Sequence, residues 1–149
     1  MAVNRFSRLV ELRRIREEAA AAAYKEALGE IGLRKQRLLD LDEETEMARV
    51  EMAETLGDVS TRLPSNLYLD FYRGQDVRKA QTQKEIEEVQ KAAESVKQKW
   101  LETRKSLQQA EKLEEKADVV IQQEARRQEY RELDRIGVIR HHQNTMTSR

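Results

Sequence analysis

The chain has no cysteine, one proline, five glycines and 5% aromatic residues, and its 28 Lys and Arg are balanced by 28 Asp and Glu. Each shortage excludes something. Without cysteine there is no disulfide framework, no thiolate zinc site and no cysteine nucleophile, in keeping with a reducing compartment. So little proline and glycine rules out a loop-rich or all-β chain, which needs turn residues every ten or so positions. The missing basic surplus speaks against a polyanion as principal partner, and no nucleic acid is expected. The longest apolar run, Ala19 to Tyr24, falls well short of the about 20 residues that cross a membrane. Arg5, Arg8, Glu11, Arg13, Arg14 and Arg16 interrupt the N-terminal stretch too often for a signal-peptide core.

What is abundant is charge, at 38% of residues against 38% hydrophobic. Ordinary globular chains run at about 25% and 45 to 50%. Such a composition fills a stripe of core rather than a sphere, and the class that remains is long amphipathic helices.

A 4,3 spacing confirms the class. It picks out Ala20, Tyr24, Ala27, Ile31, Arg34, Leu38, Leu41, Thr45, Ala48 and Met52, and again Ile86, Val89, Ala93, Val96, Trp100, Thr103, Leu107, Ala110, Glu114, Ala117 and Ile121. Mostly apolar residues at that period make a coiled-coil seam. Phe6, Leu9, Val10, Leu12 and Ile15 are expected to extend the first helix in a shifted phase, with Asn4 or Ser7 as its cap. Gly29 and Gly32 suggest a close backbone approach or a bend near Ile31. Between Leu56 and Leu67 the period stops, and Gly57, Pro64, Ser65 and Asn66 mark a turn: Gly57 as a helix C-terminal residue, Ser65 or Asn66 as the next cap.

The expected fold is therefore all-α, a long antiparallel two-helix coiled-coil hairpin over residues 1–140. Helix 1 spans about 5–56, the turn 57–66 and helix 2 about 67–139, with 141–149 as a flexible tail. A short turn forces the helices to run back along each other, so position i faces roughly 123 minus i. Met52 then lies near Phe71, and Phe6 near Ala117. Beyond Ile121 the second helix has no partner, although Tyr130, Leu133, Ile136, Val138 and Ile139 are apolar.

No catalytic constellation is present. His141 and His142 are neighbours in the tail without a third metal ligand, and Gly29-x-x-Gly32 lacks the Gly-Lys-Ser/Thr of a phosphate loop. The carboxylates sit on an exposed helix pair with no cleft to retune them. The reading is a protein without enzymatic activity, cofactor, metal or small-molecule substrate.

Charge is uneven in place. Residues 40–54 carry Asp40, Asp42, Glu43, Glu44, Glu46, Glu51 and Glu54 against Arg49 alone, while residues 126–149 bear Arg126, Arg127, Arg131, Arg135, Arg140 and Arg149 against Glu129, Glu132 and Asp134. Trp100, on the seam, reads as a core anchor. Tyr68, Phe71 and Tyr72 share one face at i, i+3, i+4, with more aromatic area than a two-helix seam buries.

Several motifs in order resemble the flagellar export protein FliJ family and its YscO-type relatives in virulence secretion. They are Phe6-x-x-Leu9-x-x-Leu12-Arg13 followed by Glu17-Glu18-Ala19-Ala20, Tyr68-x-x-Phe71 after a Ser-Asn turn, Trp100-x-x-x-Arg104-Lys105 with Leu107 beyond, and Tyr130-Arg131-Glu132-Leu133. The resemblance covers nearly the whole chain. It implies a coiled coil similar to part of the rotary-ATPase γ subunit, acting as a non-catalytic stalk that promotes assembly of the export-ATPase ring and couples it to the export gate. The partners implied are the hexameric export ATPase (FliI type), the cytoplasmic domain of the gate protein (FlhA type) and export chaperones. The place implied is the cytoplasm, peripheral at the inner membrane through the export apparatus.

For the ring contact, the resemblance together with the basic, unpartnered end points to Arg127, Arg131, Leu133, Arg135, Ile136 and Ile139, with Phe6 and Leu9 from the other terminus. For the gate, it points to Leu41, Tyr68, Phe71 and Tyr72. Gln75 stands where the family has an aliphatic residue, and Glu44 and Ala48 stand where aromatics can occur. Other classes the sequence admits are a virulence-system stalk, a helical nucleic-acid-binding arm using the Arg-rich ends, and a self-associating scaffold.

Overall fold

The computed structural model describes residues 3–57 and 65–148. These form two helices, α1 (Ser7–Gly57) and α2 (Ser65–Thr147), and there is no strand among the described residues. Ala, Leu, Glu, Gln, Lys and Arg dominate both segments, and these side chains lose little freedom in a helix. The chain divides into two compact units, Met1–Glu18 with Glu102–Arg149, and Ala19–Leu101. In each, a stretch of α1 runs antiparallel to a stretch of α2, giving the all-α two-helix hairpin expected.

Seam positions follow the 4,3 spacing closely. Every α1 position named from Ala20 to Met52, and every α2 position from Ile86 to Ile121, is buried or half-buried. Where the structure differs is at the start of α1. The less exposed residues there are Phe6, Leu9, Val10, Arg13 and Glu17, and all but Leu9 continue the 4,3 phase of Ala20 without a shift. Leu12 and Ile15 stay 47% and 58% exposed. Counting apolar residues placed Phe6, Leu9 and Val10 correctly and misplaced Leu12 and Ile15, because the seam here takes Arg13 and Glu17, long side chains whose stems can pack.

In the first unit, Asn4 ties the start of α1 in place. Its Oδ1 accepts from the Phe6 N–H at 2.9 Å, the cap expected of Asn4, and its Nδ2 donates to the Glu114 carbonyl and to Asp118 Oδ1, both at 2.8 Å. Arg13 donates to the Ser106 carbonyl at 2.9 Å, over a core of Val10 and Ala110. α2 continues beyond this paired region to Thr147, and residues 122–148 are all exposed. The stretch 141–147, expected as a flexible tail, is helical: no proline or glycine follows Gly137, and Thr145 and Thr147 each donate to the carbonyl four residues earlier.

In the second unit the core is Leu41, Ile86 and Ala93. Tyr24 stacks on Trp100 with centroids 5.6 Å apart and planes 12° from parallel, the anchoring place expected for Trp100. Lys79 pairs with Asp42 at 3.0 Å. Arg34 approaches Glu85 at 3.9 Å, though its Nε makes no hydrogen bond.

Gly29 and Gly32 lie within α1, and nothing comes within 4 Å of where a Cβ would stand on either. They face open space, so no neighbouring backbone uses them for a close approach. Gly57 is the last residue of α1, at the helix end expected for it, and no described glycine has a positive φ. α2 opens at Ser65, earlier than expected, with Ser65 and Asn66 inside the helix. The rest of the expected turn, 58–64 with Pro64, lies outside the described residues.

Candidate partner-binding surfaces

In the second unit, the segments 41–52 of α1 and 67–82 of α2 pack through a polar layer. Gln75 is 1% exposed. Its Nε2 donates within 3.3 to 3.4 Å of the Leu41 carbonyl, Glu44 Oε2 and Thr45 Oγ1, and its Oε1 accepts from Arg78 at 2.7 Å. Thr45 donates to the same Leu41 carbonyl at 2.8 Å, and Thr82, also buried, donates to the Arg78 carbonyl. A buried amide must find partners or lose about 1 to 3 kcal/mol, so this layer aligns the two helices. Sequence reading marked Gln75 as a departure from an aliphatic pattern; its role becomes visible only once the acceptors of α1 face it.

Around that layer the aromatic residues divide. Tyr68 and Tyr72 are half-buried at seam positions, with the Tyr72 hydroxyl 3.8 Å from Met52 Sδ. Phe71 packs edge-on to Tyr72 at 5.8 Å. Tyr68 and Phe71 line a groove of about 490 Å³ with Glu44, Met47, Ala48, Glu51 and Leu67. Leu41 is 6% exposed, so it belongs to the seam that supports this groove and presents no surface of its own. Sequence reasoning missed Met47 and Leu67, 69% and 58% exposed. Their signal was available: large apolar residues off the 4,3 seam, one of them amid carboxylates.

In the first unit, Phe6 lines a second groove with Val3, Arg5, Leu113, Lys116, Ala117, Val120 and Ile121, beside Ala117 as expected. The Arg5 guanidinium sits 4.8 Å over the Phe6 ring. Leu9 lies apart from it, in a shallow strip along α1 with Arg5, Arg8, Glu11, Leu12 and Ile15. Farther along α2, Arg127, Arg131 and Arg135 are exposed, as are Leu133, Ile136 and Ile139 at 63%, 45% and 47%. Among the described residues no side chain of α1 covers them.

No cluster of three or more metal-ligating side chains occurs among the described residues. No described helix is long and apolar enough to cross a membrane.

Compared with known proteins, the chain matches the family model described as the flagellar FliJ protein over residues 1–145. No curated protein and no solved structure matches it.

Proposed function

Because the chain belongs to the flagellar FliJ protein family, a non-enzymatic component of flagellar export, we propose that it is the central stalk of the export ATPase, linking the ATPase ring to the export gate. The observation that carries the reading is the extension of α2. Past Ile121 it runs on to Thr147 as a fully exposed helix that bears arginines and large apolar residues together. A helix that exposes Tyr130, Leu133, Ile136, Val138 and Ile139 gains little from water, and insertion into a protein cavity would cover that area at about 25 cal/mol per Å². The hexameric ATPase ring is the partner proposed for this extension, with Phe6 and its groove at the ring mouth.

The aromatic groove of the second unit is proposed to meet the cytoplasmic domain of the gate protein. Aromatic anchors dominate small interfaces, each costing on the order of 2 kcal/mol or more when truncated. The surrounding carboxylates raise the encounter rate more than they hold the complex. Export chaperones are proposed as further partners. The chain itself hydrolyses nothing in this scheme; its contribution is to position the ring and connect it to the gate at the inner membrane.

The test is ATPase stimulation. The variant with Arg127, Arg131 and Arg135 all changed to Glu should keep its helicity, since the three side chains are exposed, and should stimulate a FliI-type ATPase far less than the unmodified chain. Full stimulation by the folded variant removes the α2 extension from the ring.

A further inference from the structure

The acidic stretch of α1 is built as two rows. Side chains four residues apart stand one above another on a helix, so Glu43, Met47 and Glu51 make one row and Glu46, Val50 and Glu54 the next. Each row reads acid, apolar, acid. All six side chains are exposed, Met47 at 69% and Val50 at 51%. Met47 and Val50 line a shallow groove with Glu43, Glu46 and Glu51, and Met47 also borders the aromatic groove. Glu46 is held by Arg49 at 3.3 Å, whereas the carboxylates of Glu43, Glu51 and Glu54 have no cation partner among the described residues.

The α2 extension carries the opposite pattern. Arg127, Arg131 and Arg135 form an i, i+4, i+8 row that Ile139 continues, flanked by a row of Glu132, Ile136 and Arg140 on one side and of Tyr130, Asp134 and Val138 on the other. All are exposed, and none of the three arginines is paired with a carboxylate among the described residues. Eight residues of helix rise about 12 Å, so the arginine row and the Glu43–Glu51 row have equal length. An antiparallel approach sets Arg135 against Glu43 and Arg127 against Glu51, with Met47 beneath Arg131 and the apolar flanks filling the grooves.

We propose that the basic α2 extension of one molecule docks on the acidic 43–54 face of a second copy of this chain. The complementarity lies within one sequence: residues 40–54 carry seven acids against Arg49 alone, and residues 126–149 carry six arginines against three acids. Both surfaces also expose large apolar side chains, which adds desolvation to the charge pairing and favours a specific contact over loose attraction. The contact joins two different patches, so it closes when two molecules dock reciprocally and extends when they do not. It covers the α2 extension and borders the aromatic groove, which makes self-association a competitor of both partner contacts proposed above. The docking itself rests on exposure and charge and not on that functional reading.

The experiment is sedimentation of the full chain alone, without ATPase or gate protein, so its failure leaves the stalk reading untouched. At about 0.02 M salt the average mass should rise with protein concentration. At about 0.5 M salt it should return to that of the monomer, because the screening length falls from roughly 20 Å to roughly 4 Å. One variant changes Arg127, Arg131 and Arg135 to Glu; another changes Glu43, Glu51 and Glu54 to Lys. Each alone should associate about tenfold or more weakly. Mixed one to one, they should associate again, since the reversed arginine row of the first meets the reversed acidic face of the second. A monomer at every concentration in low salt overturns the proposal, as does association indifferent to salt or a mixture no stronger than its components. The salt titration of the unmodified chain decides the matter even where a variant fails to fold.

Discussion

The Nε2 of Gln75 lies 3.3 Å from the carbonyl oxygen of Leu41, a helix carbonyl that also accepts from Thr45. One side chain thereby reads the backbone position of the opposite helix, and a shift of one turn in register removes its partners on α1, Leu41, Glu44 and Thr45. Gln75→Leu should therefore keep or raise the melting temperature while loosening the alignment of the helices, as replacement of buried polar groups in coiled coils often does. Gln75→Ala, which leaves a cavity and abandons Glu44 and Arg78, should cost about 1 to 3 kcal/mol. Disulfide trapping at several registers distinguishes the two: one register in the unmodified chain, several in Gln75→Leu.

Leu41 and Phe71 are expected to separate stability from binding. Leu41 is buried, so Leu41→Ala should lower stability by about 2 to 4 kcal/mol and leave gate affinity unchanged once folding is corrected for. Phe71 is half-buried at the edge of its groove, and Phe71→Ala should lose gate binding by tenfold or more with the smaller loss in melting temperature. Melting curves and titration against the gate domain on both variants provide the check. Retained gate binding by Phe71→Ala would leave these rings as packing alone.

Trp100 should report the seam. Stacked on Tyr24 and half-buried, its emission should lie to the blue of a solvated indole. Tyr24→Ala should shift it to the red and cost on the order of 1 to 3 kcal/mol, combining lost burial with about 0.5 to 1.5 kcal/mol of ring pairing. An unshifted spectrum would mean that the rings do not meet in solution.

Antiparallel pairing can be tested by cysteine chemistry on a chain with no cysteine of its own. Ala27→Cys with Val96→Cys places one thiol on each seam, both at half-buried positions. Oxidation of dilute protein should yield mostly a cross-linked monomer. Covalent dimers alone would point to strands exchanged between molecules.

The sequence by itself determined the class, the number of helices and the seam from Ala20 to Met52 and from Ile86 to Ile121. A 4,3 period repeated over many turns leaves one way to bury the stripe, and a short turn leaves one direction for the second helix. It also placed Leu133, Ile136 and Ile139 beyond the last seam position, and they are exposed. Only the tertiary structure decided the places where polar residues occupy the seam. Arg13 and Gln75 look like surface residues to any pattern of hydrophobicity, and what draws them into the seam is a partner on the other helix: the Ser106 carbonyl for Arg13, and Leu41, Glu44 and Thr45 for Gln75. The same holds for Leu41, read as a contact surface and found in the core, and for Met47, passed over and found between two grooves. Periodicity tells which face of a helix turns inward, but the exposure of a side chain near the edge of that face depends on the size and reach of the residue opposite, which a single helix does not contain.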